Sequence, residues 1–159
     1  MSLTFKVASE PDACAISRMV VELTEEVTQQ SRNAKFTLNH NSTLAKCRAL
    51  IAQDLYHAVV AKDNAEYIGL ASFAESYALY AGGKIGIIQE FYISPPWRSQ
   101  GIGARLMDQI KAIGQSRDWA CIELCTPPLP GLDSSRAFYQ RQGLKPVGGR
   151  KRRLYLAGC

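Results

Sequence analysis

No apolar run in this sequence approaches the roughly 18 residues needed to cross a bilayer, so a membrane-spanning role is not expected. The first twelve residues show no basic-then-apolar pattern, and no secretory signal is read there. Histidine is scarce: His40 and His57 are the only two, and neither has the spacing of a metal ligand. The five cysteines (Cys14, Cys47, Cys121, Cys125 and Cys159) contain no C-x-x-C pair, so no metal is expected. Cys121 and Cys125 are four apart in a strand-like run, pointing the same way but too far apart to bridge. An odd, scattered set of this kind reads as reduced thiols, and a cytoplasmic location is expected. Repeats, low-complexity tracts and interdomain linkers are also missing. What is present is ordinary for a globular chain: 159 residues, 47% hydrophobic and 21% charged. That length suits one domain, residues 1–159, with a core that needs no staples. The net charge of +5 fits a nucleic acid partner, an anionic ligand or plain solubility, and decides nothing alone.

Periodicity divides the chain. Residues 3–8 alternate as a strand. Ser9 then suits an N-cap, with Pro11 and Asp12 in the first turn. Ile16, Val20, Leu23 and Val27 follow at spacings of four, three and four, one face of a helix whose other face carries Glu22, Glu25 and Glu26. Residues 31–41 are polar and irregular. Asn41 or Ser42 caps a second helix striped by Leu44, Cys47, Ile51 and Leu55. The period then shifts to two. Residues 57–62 and 66–75 read as strands joined near Asp63 and Asn64, with a turn at Gly82 and Gly83. Residues 84–94 form a long strand. Ile85, Ile87, Gln89, Phe91 and Ile93 are expected on one of its faces, and Ile88, Glu90 and Tyr92 on the other. Pro95 and Pro96 end it. A helix follows Gly101 or Gly103, with Ile102, Leu106, Ile110 and Ile113 buried. Residues 120–126 make a short strand, and a proline-rich loop runs from Thr126 to Gly131. Asp133 or Ser134 caps a last helix that stops at Gly143, and a terminal strand pair near 145–156 closes the sheet. The order is that of a layered α/β or α+β domain.

The segment Arg98-Ser99-Gln100-Gly101-Ile102-Gly103-Ala104 sits between a strand and a helix. Glycines there admit close backbone approach, and a helix start offers unpaired N–H groups and a positive dipole end, a cradle for a pyrophosphate. The Rossmann fingerprint is incomplete and no Gly-Lys-Ser/Thr follows, so neither a dinucleotide fold nor a P-loop is read.

Residues 89–106 closely resemble the acetyl-CoA motif of the GNAT superfamily of N-acetyltransferases, with Arg98, Gly101 and Gly103 in the Arg/Gln-x-x-Gly-x-Gly/Ala pattern. Residues 135–144, with Phe138, Tyr139, Gly143 and Leu144, resemble that family's last-helix signature. The element order matches as well, so the resemblance spans nearly the whole chain. One departure is Leu132, which stands where the family often has a cofactor-contacting Asn. The resemblance implies a mixed, mostly antiparallel central sheet of six to seven strands flanked by about four helices, with acetyl-CoA as co-substrate.

It further implies that the backbone of Phe91, Tyr92 and Ile93 pairs with the pantetheine arm as an added strand. Ser99, Gln100, Gly101, Ile102, Gly103 and Ala104 then hold the pyrophosphate, with Arg98 adding a charged contact. The amine acceptor must lose a proton to attack. Glu90, expected between Ile88 and Tyr92, is the candidate base; the neutral Gln89 is placed with the acceptor. Related enzymes acting on polyamines carry Glu-Asp-Phe-Phe-Val here, and Gln89 lacks the first of those carboxylates. Tyr139 is the candidate acid for the departing thiolate. Glu22, Glu25 and Glu26 line the acceptor side. No cysteine falls on the splayed strand or the cofactor loop, which favours direct transfer.

The expected function is acetyl transfer to a primary amine of a small molecule. Two alternatives stay open: a protein lysine or N-terminal acetyltransferase, and a non-catalytic acyl-CoA sensor or partner-binding domain. A homodimer is possible. Nucleic acid is not expected as a partner, because the basic run Arg150 to Arg153 is short, lacks interleaved aromatics and suits the end of a surface hairpin.

Overall fold

The computed structural model describes residues 2–30, 37–126, 133–149 and 151–156, with the side chains of 133 and 134 left aside. Residues 31–36 of the irregular stretch expected at 31–41, and residues 127–131 of the loop expected from Thr126 to Gly131, lie outside these residues, as do Leu132 and Arg150.

Strand β1 (Leu3–Val7) leads through a short 3-10 turn into helix α1 (Ala13–Gln30). The Ser9 N–H donates to Asp12 Oδ2 at 2.8 Å, so the expected cap forms with the acid as its acceptor. Asp12 is 1% exposed. Burial opposes its ionisation, but the Ser9 N–H, the Tyr67 hydroxyl and Lys6 hold its carboxyl below the usual range. Helix α2 (His40–Ala52) is capped by Asn39, whose side chain accepts from the Ser42 N–H, so the cap lies two or three residues earlier than expected. The helix ends before Leu55, which is exposed rather than part of its stripe.

Strands β2 (His57–Asp63), β3 (Glu66–Ala78) and β4 (Gly83–Ile93), helix α3 (Ile102–Ser116), strand β5 (Ile122–Leu124) and helix α4 (Asp133–Arg141) complete the order. The sheet runs β1-β2-β3-β4-β5. Its first three pairings are antiparallel and the last is parallel. Among the described residues five strands therefore stand where six to seven were expected. The missing pair is the one read at 145–156: residues 145–149 and 151–156 carry no strand, and Val147, Leu154 and Leu156 are exposed. These apolar residues cover no core face, and strand propensity without packing does not make a strand.

Helices cover both faces. In β2, Ala58 and Val60 pack with Ile16 and Met19 of α1 and Cys47 of α2, while Val59 and Ala61 pack with Ile102, Leu106, Met107 and Ile110 of α3. This strand is hydrophobic on both sides because both sides are covered. Burying each such Ile or Leu side chain contributes roughly 1.5–3 kcal/mol. Among the described residues no helix is long and apolar enough to cross a membrane.

The β4–β5 pairing depends on Trp119. Its indole N–H donates to Glu75 at 2.6 Å, its ring meets Phe73 edge-on at 5.4 Å, and a Cβ on Gly86 would fall 2.2 Å from it. Gly86→Ala is therefore expected to lower unfolding stability by about 1–3 kcal/mol through overpacking. Urea denaturation with an unchanged m-value checks this, and Gly83→Ala, which meets no neighbouring atom but has a φ of +120°, supplies the comparison for backbone strain alone.

Candidate active site

Two irregularities in β4 make the site. First, its pairing with β5 covers only Gly86–Ile88 against Ile122–Leu124, whereas β4 continues to Ile93. Beyond Ile88 the two strands part. The Ser94 N–H donates to β3 (Ile68 O, 2.9 Å), and the Glu90 N–H is also turned to β3. By alternation the N–H and C=O groups of Phe91 and Ile93 point into the gap.

The second irregularity is a bulge. Ser72 faces Glu90 and Phe73 faces Ile88, so Gln89 has no residue opposite it. The extra residue resets the alternation. Ile88 consequently packs on the α3 face with Phe91 and Ile93, not beside Glu90 and Tyr92 as expected, while Tyr92 packs on the α1–α2 face. Gln89 is exposed and lines the cleft.

The gap opens into a cleft of about 830 Å³, within the range of small-molecule sites. Its walls come from the C-terminal half of α1, the end of β4, the N-terminus of α3 and one face of α4. Of the residues singled out from sequence, Glu26, Gln89, Phe91, Tyr92, Ile93, Arg98, Ser99, Gly101, Ile102, Gly103, Ala104 and Tyr139 line it. Glu22, Glu25, Glu90 and Gln100 do not. Glu25 is exposed, and the Gln100 side chain donates to Pro96 O at 3.0 Å.

The loop before α3 is shaped for an anion. Ser99 (φ 62°) and Gly101 (φ 83°) are left-handed, and the first helical bond runs from the Arg105 N–H to Gly101 O. The N–H groups of Ile102, Gly103 and Ala104 therefore have no intrahelical acceptor. Across the cleft, Arg136 and Arg141 of α4 add positive charge, cations that reading α4 for its tyrosine alone had overlooked. Their position in the last-helix motif was the available signal.

Arg98 lines the cleft with its guanidinium already engaged. Its two terminal nitrogens grip Glu26 at 3.0 and 2.7 Å, and its Nε donates to Ile93 O at 2.8 Å. The pairing with Glu26 pushes its pKa further up. The guanidinium ties α1 to the end of β4. The Tyr92 hydroxyl donates to Glu22 at 3.0 Å, and burial, with that bond, pushes its phenol up to about 12. Two of the three acidic side chains on α1 are thus already partnered.

Glu90 lies on the α1–α2 face, where Oε1 accepts from the Tyr56 hydroxyl at 2.9 Å and from the Ser72 hydroxyl. Neither partner was foreseen, because sequence periodicity does not say which hydroxyls meet across a sheet. Tyr139 stands against Phe91 and Phe138, with ring centroids at 5.9 and 5.4 Å. Burial pushes its phenol up to about 12, so it is a protonated donor at neutral pH. Cys125, off the splayed strand and the cofactor loop as expected from sequence, is exposed and lines the cleft just past β5.

A family model described as the Acetyltransferase (GNAT) family matches residues 19–144, and the chain belongs to that family. No curated protein is similar enough in sequence to match. Solved structures share the fold at low identity. A possible acetyltransferase from Clostridium difficile 630 superposes with a TM-score of 0.80 at 14% identity, covering 98% of this chain and 99% of that one. A protein from Clostridium acetobutylicum, described as a predicted acetyltransferase with acetyl-CoA, gives 0.74 at 15%, covering 96% of each. An aminoglycoside acetyltransferase from an uncultured soil metagenomic sample gives 0.75 at 17%, covering 98% of this chain and all of the other.

The Glu26–Arg98 pair is bidentate but partly exposed. A double-mutant cycle of Glu26→Gln and Arg98→Lys by urea denaturation is expected to give a coupling of about 0.2–1 kcal/mol that shrinks as salt is raised. A coupling that does not change with salt speaks against an ionic clasp.

Proposed function

We propose that this protein is an acetyl-CoA-dependent N-acetyltransferase that moves the acetyl group directly to a primary amine of a small molecule. The observation that carries this is the parting of β4 from β5 between an anion-ready helix start and the half-buried Tyr139. The fit of the cofactor rests on the same features. The backbone groups of Phe91 and the Ile93 N–H suit an amide-bearing arm, the Ile93 carbonyl being held by Arg98, and the Ser99–Ala104 backbone suits a pyrophosphate, with Arg136 and Arg141 nearby. When bound, acetyl-CoA supplies an acetyl group already activated as a thioester.

The remaining work falls to the chain. An amine with a pKa near 10 is mostly protonated at neutral pH. Because Glu90 does not itself line the cleft, in this reading a water relays one proton from the ammonium to its Oε2, the oxygen not engaged by Tyr56 and Ser72; the freed nitrogen then bonds to the acetyl carbon and sheds its second proton to solvent. The Ile93 N–H steadies the carbonyl oxygen. Tyr139 gives its hydroxyl proton to the sulfur as the C–S bond breaks, so the products are an acetamide and a free thiol. Solvent then returns a proton to Tyr139 and removes one from Glu90. The bulge supports this by placing Gln89, rather than a second carboxylate, in the cleft, where its amide can orient the acceptor. The aminoglycoside acetyltransferases among the similar folds support a small-molecule acceptor, although the carboxylates of α1 are too well partnered to argue for a polycation.

Thiol release from acetyl-CoA across a panel of small amines and peptides tests the reading. The expected result is turnover with small amines and little with peptides. Release with peptides alone shifts the assignment to a protein acceptor, and release with none points to a sensor. Tyr139→Phe is expected to lower kcat by about 10–10³-fold with little change in cofactor affinity, whereas a purely packing tyrosine predicts a lower melting temperature and an intact rate. Coenzyme A is also expected to slow alkylation of Cys125 while leaving the exposed Cys14 unprotected.

A further inference from the structure

The bulge at Gln89 needs something to hold it, since an extra residue disrupts the local ladder. Facing the next residue, Glu90, is Ser72, fully buried at 0% exposure. Its hydroxyl does two things at once. It accepts the Glu90 N–H at 3.0 Å, taking up a donor that faces the disrupted ladder, and it donates to Oε1 of the same residue. Tyr56, just ahead of β2, donates to that oxygen from the other side at 2.9 Å. Burial, with the Glu90 charge as the next cause, pushes the Tyr56 phenol far up, so this donor keeps its proton throughout the working range. Glu90 is thereby bound through both its backbone and its carboxylate, two residues before Tyr92 and one after Gln89. A freely rotating carboxylate at this position would leave both the bulge and the neighbouring cleft wall unspecified.

We propose that Ser72 and Tyr56 are positioning residues: together they clamp Glu90, and through it they fix the bulge that turns Gln89 into the cleft. Neither hydroxyl lines the cleft, so both act through Glu90. The inference rests on the acetyltransferase reading for its kinetic consequence and on the hydrogen bonds alone for its structural one.

The test uses Ser72→Ala and Tyr56→Phe, alone and in a Glu90→Ala background, with an amine that the wild-type protein accepts. Each single variant is expected to lose about tenfold to hundredfold in kcat while acetyl-CoA affinity stays within about twofold. In the Glu90→Ala background the same substitutions are expected to cost nothing more, because the group they position is gone. Amide hydrogen exchange supplies a second readout. The Glu90 N–H loses its acceptor in Ser72→Ala and exchanges faster, whereas Tyr56→Phe leaves that acceptor in place and the rate stays near wild type. Equal losses with and without Glu90, or a lowered melting temperature with kcat intact, overturn the proposal. If the wild-type protein turns over no amine at all, the acetyltransferase reading fails separately. The exchange pattern then decides the clamp: faster exchange at Glu90 in Ser72→Ala supports it, and an unchanged rate overturns it.

Discussion

The site depends on a hydrogen-bond ladder that stops. β4 and β5 pair over three residues and then part, because β5 ends at Leu124 while β4 runs on to Ile93. A buried strand edge cannot be left without partners at no cost, so this edge invites a ligand with amide groups of its own. The other features of the cleft are arranged around that gap. Gly86 packs against Trp119 where the pairing begins. The bulge at Gln89 chooses which side chains face the opening. Arg98 closes the far end by joining Glu26 of α1 to the carbonyl of Ile93.

Rigidity and exposure are distributed accordingly. The sheet and α3 share a core in which Val59, Leu106, Met107 and Ile110 are fully buried, a stiff base for groups that must be held closely. Function then gathers where elements end: the last residues of β4, the first turn of α3, the C-terminal half of α1. Tyr139 follows the same pattern, lying in the last turn of α4. It is held by the aromatic cluster with Phe91 and Phe138, which links α4 to the end of β4.

The helices and most strands were legible because their periods are strong. Ile16, Ile102, Leu106 and Ile110 fell on buried stripes as read, and the Arg98–Ala104 loop lay at the helix start as read. The face of Ile88 was misjudged because a bulge is one extra residue, invisible to a strict period of two. The terminal strand pair does not form: Leu154, Tyr155 and Leu156 are consecutive apolar residues, and all three are exposed. Arg98 carried a motif position but not its partner, since Glu26 lies 72 residues away. Tyr56 and Ser72 were missed for the same reason. Long-range hydroxyl-to-carboxylate bonds follow from sheet register, which the sequence specifies only through the whole fold.

The central claim is that the gap between β4 and β5, with the first turn of α3, is where the acyl carrier lies. Backbone amide chemical shifts recorded as coenzyme A is titrated into the protein test it most directly. The account predicts that the largest shifts fall on residues 89–93 and 99–104, saturating together. Saturable shifts centred elsewhere, with these two segments unmoved, would contradict it.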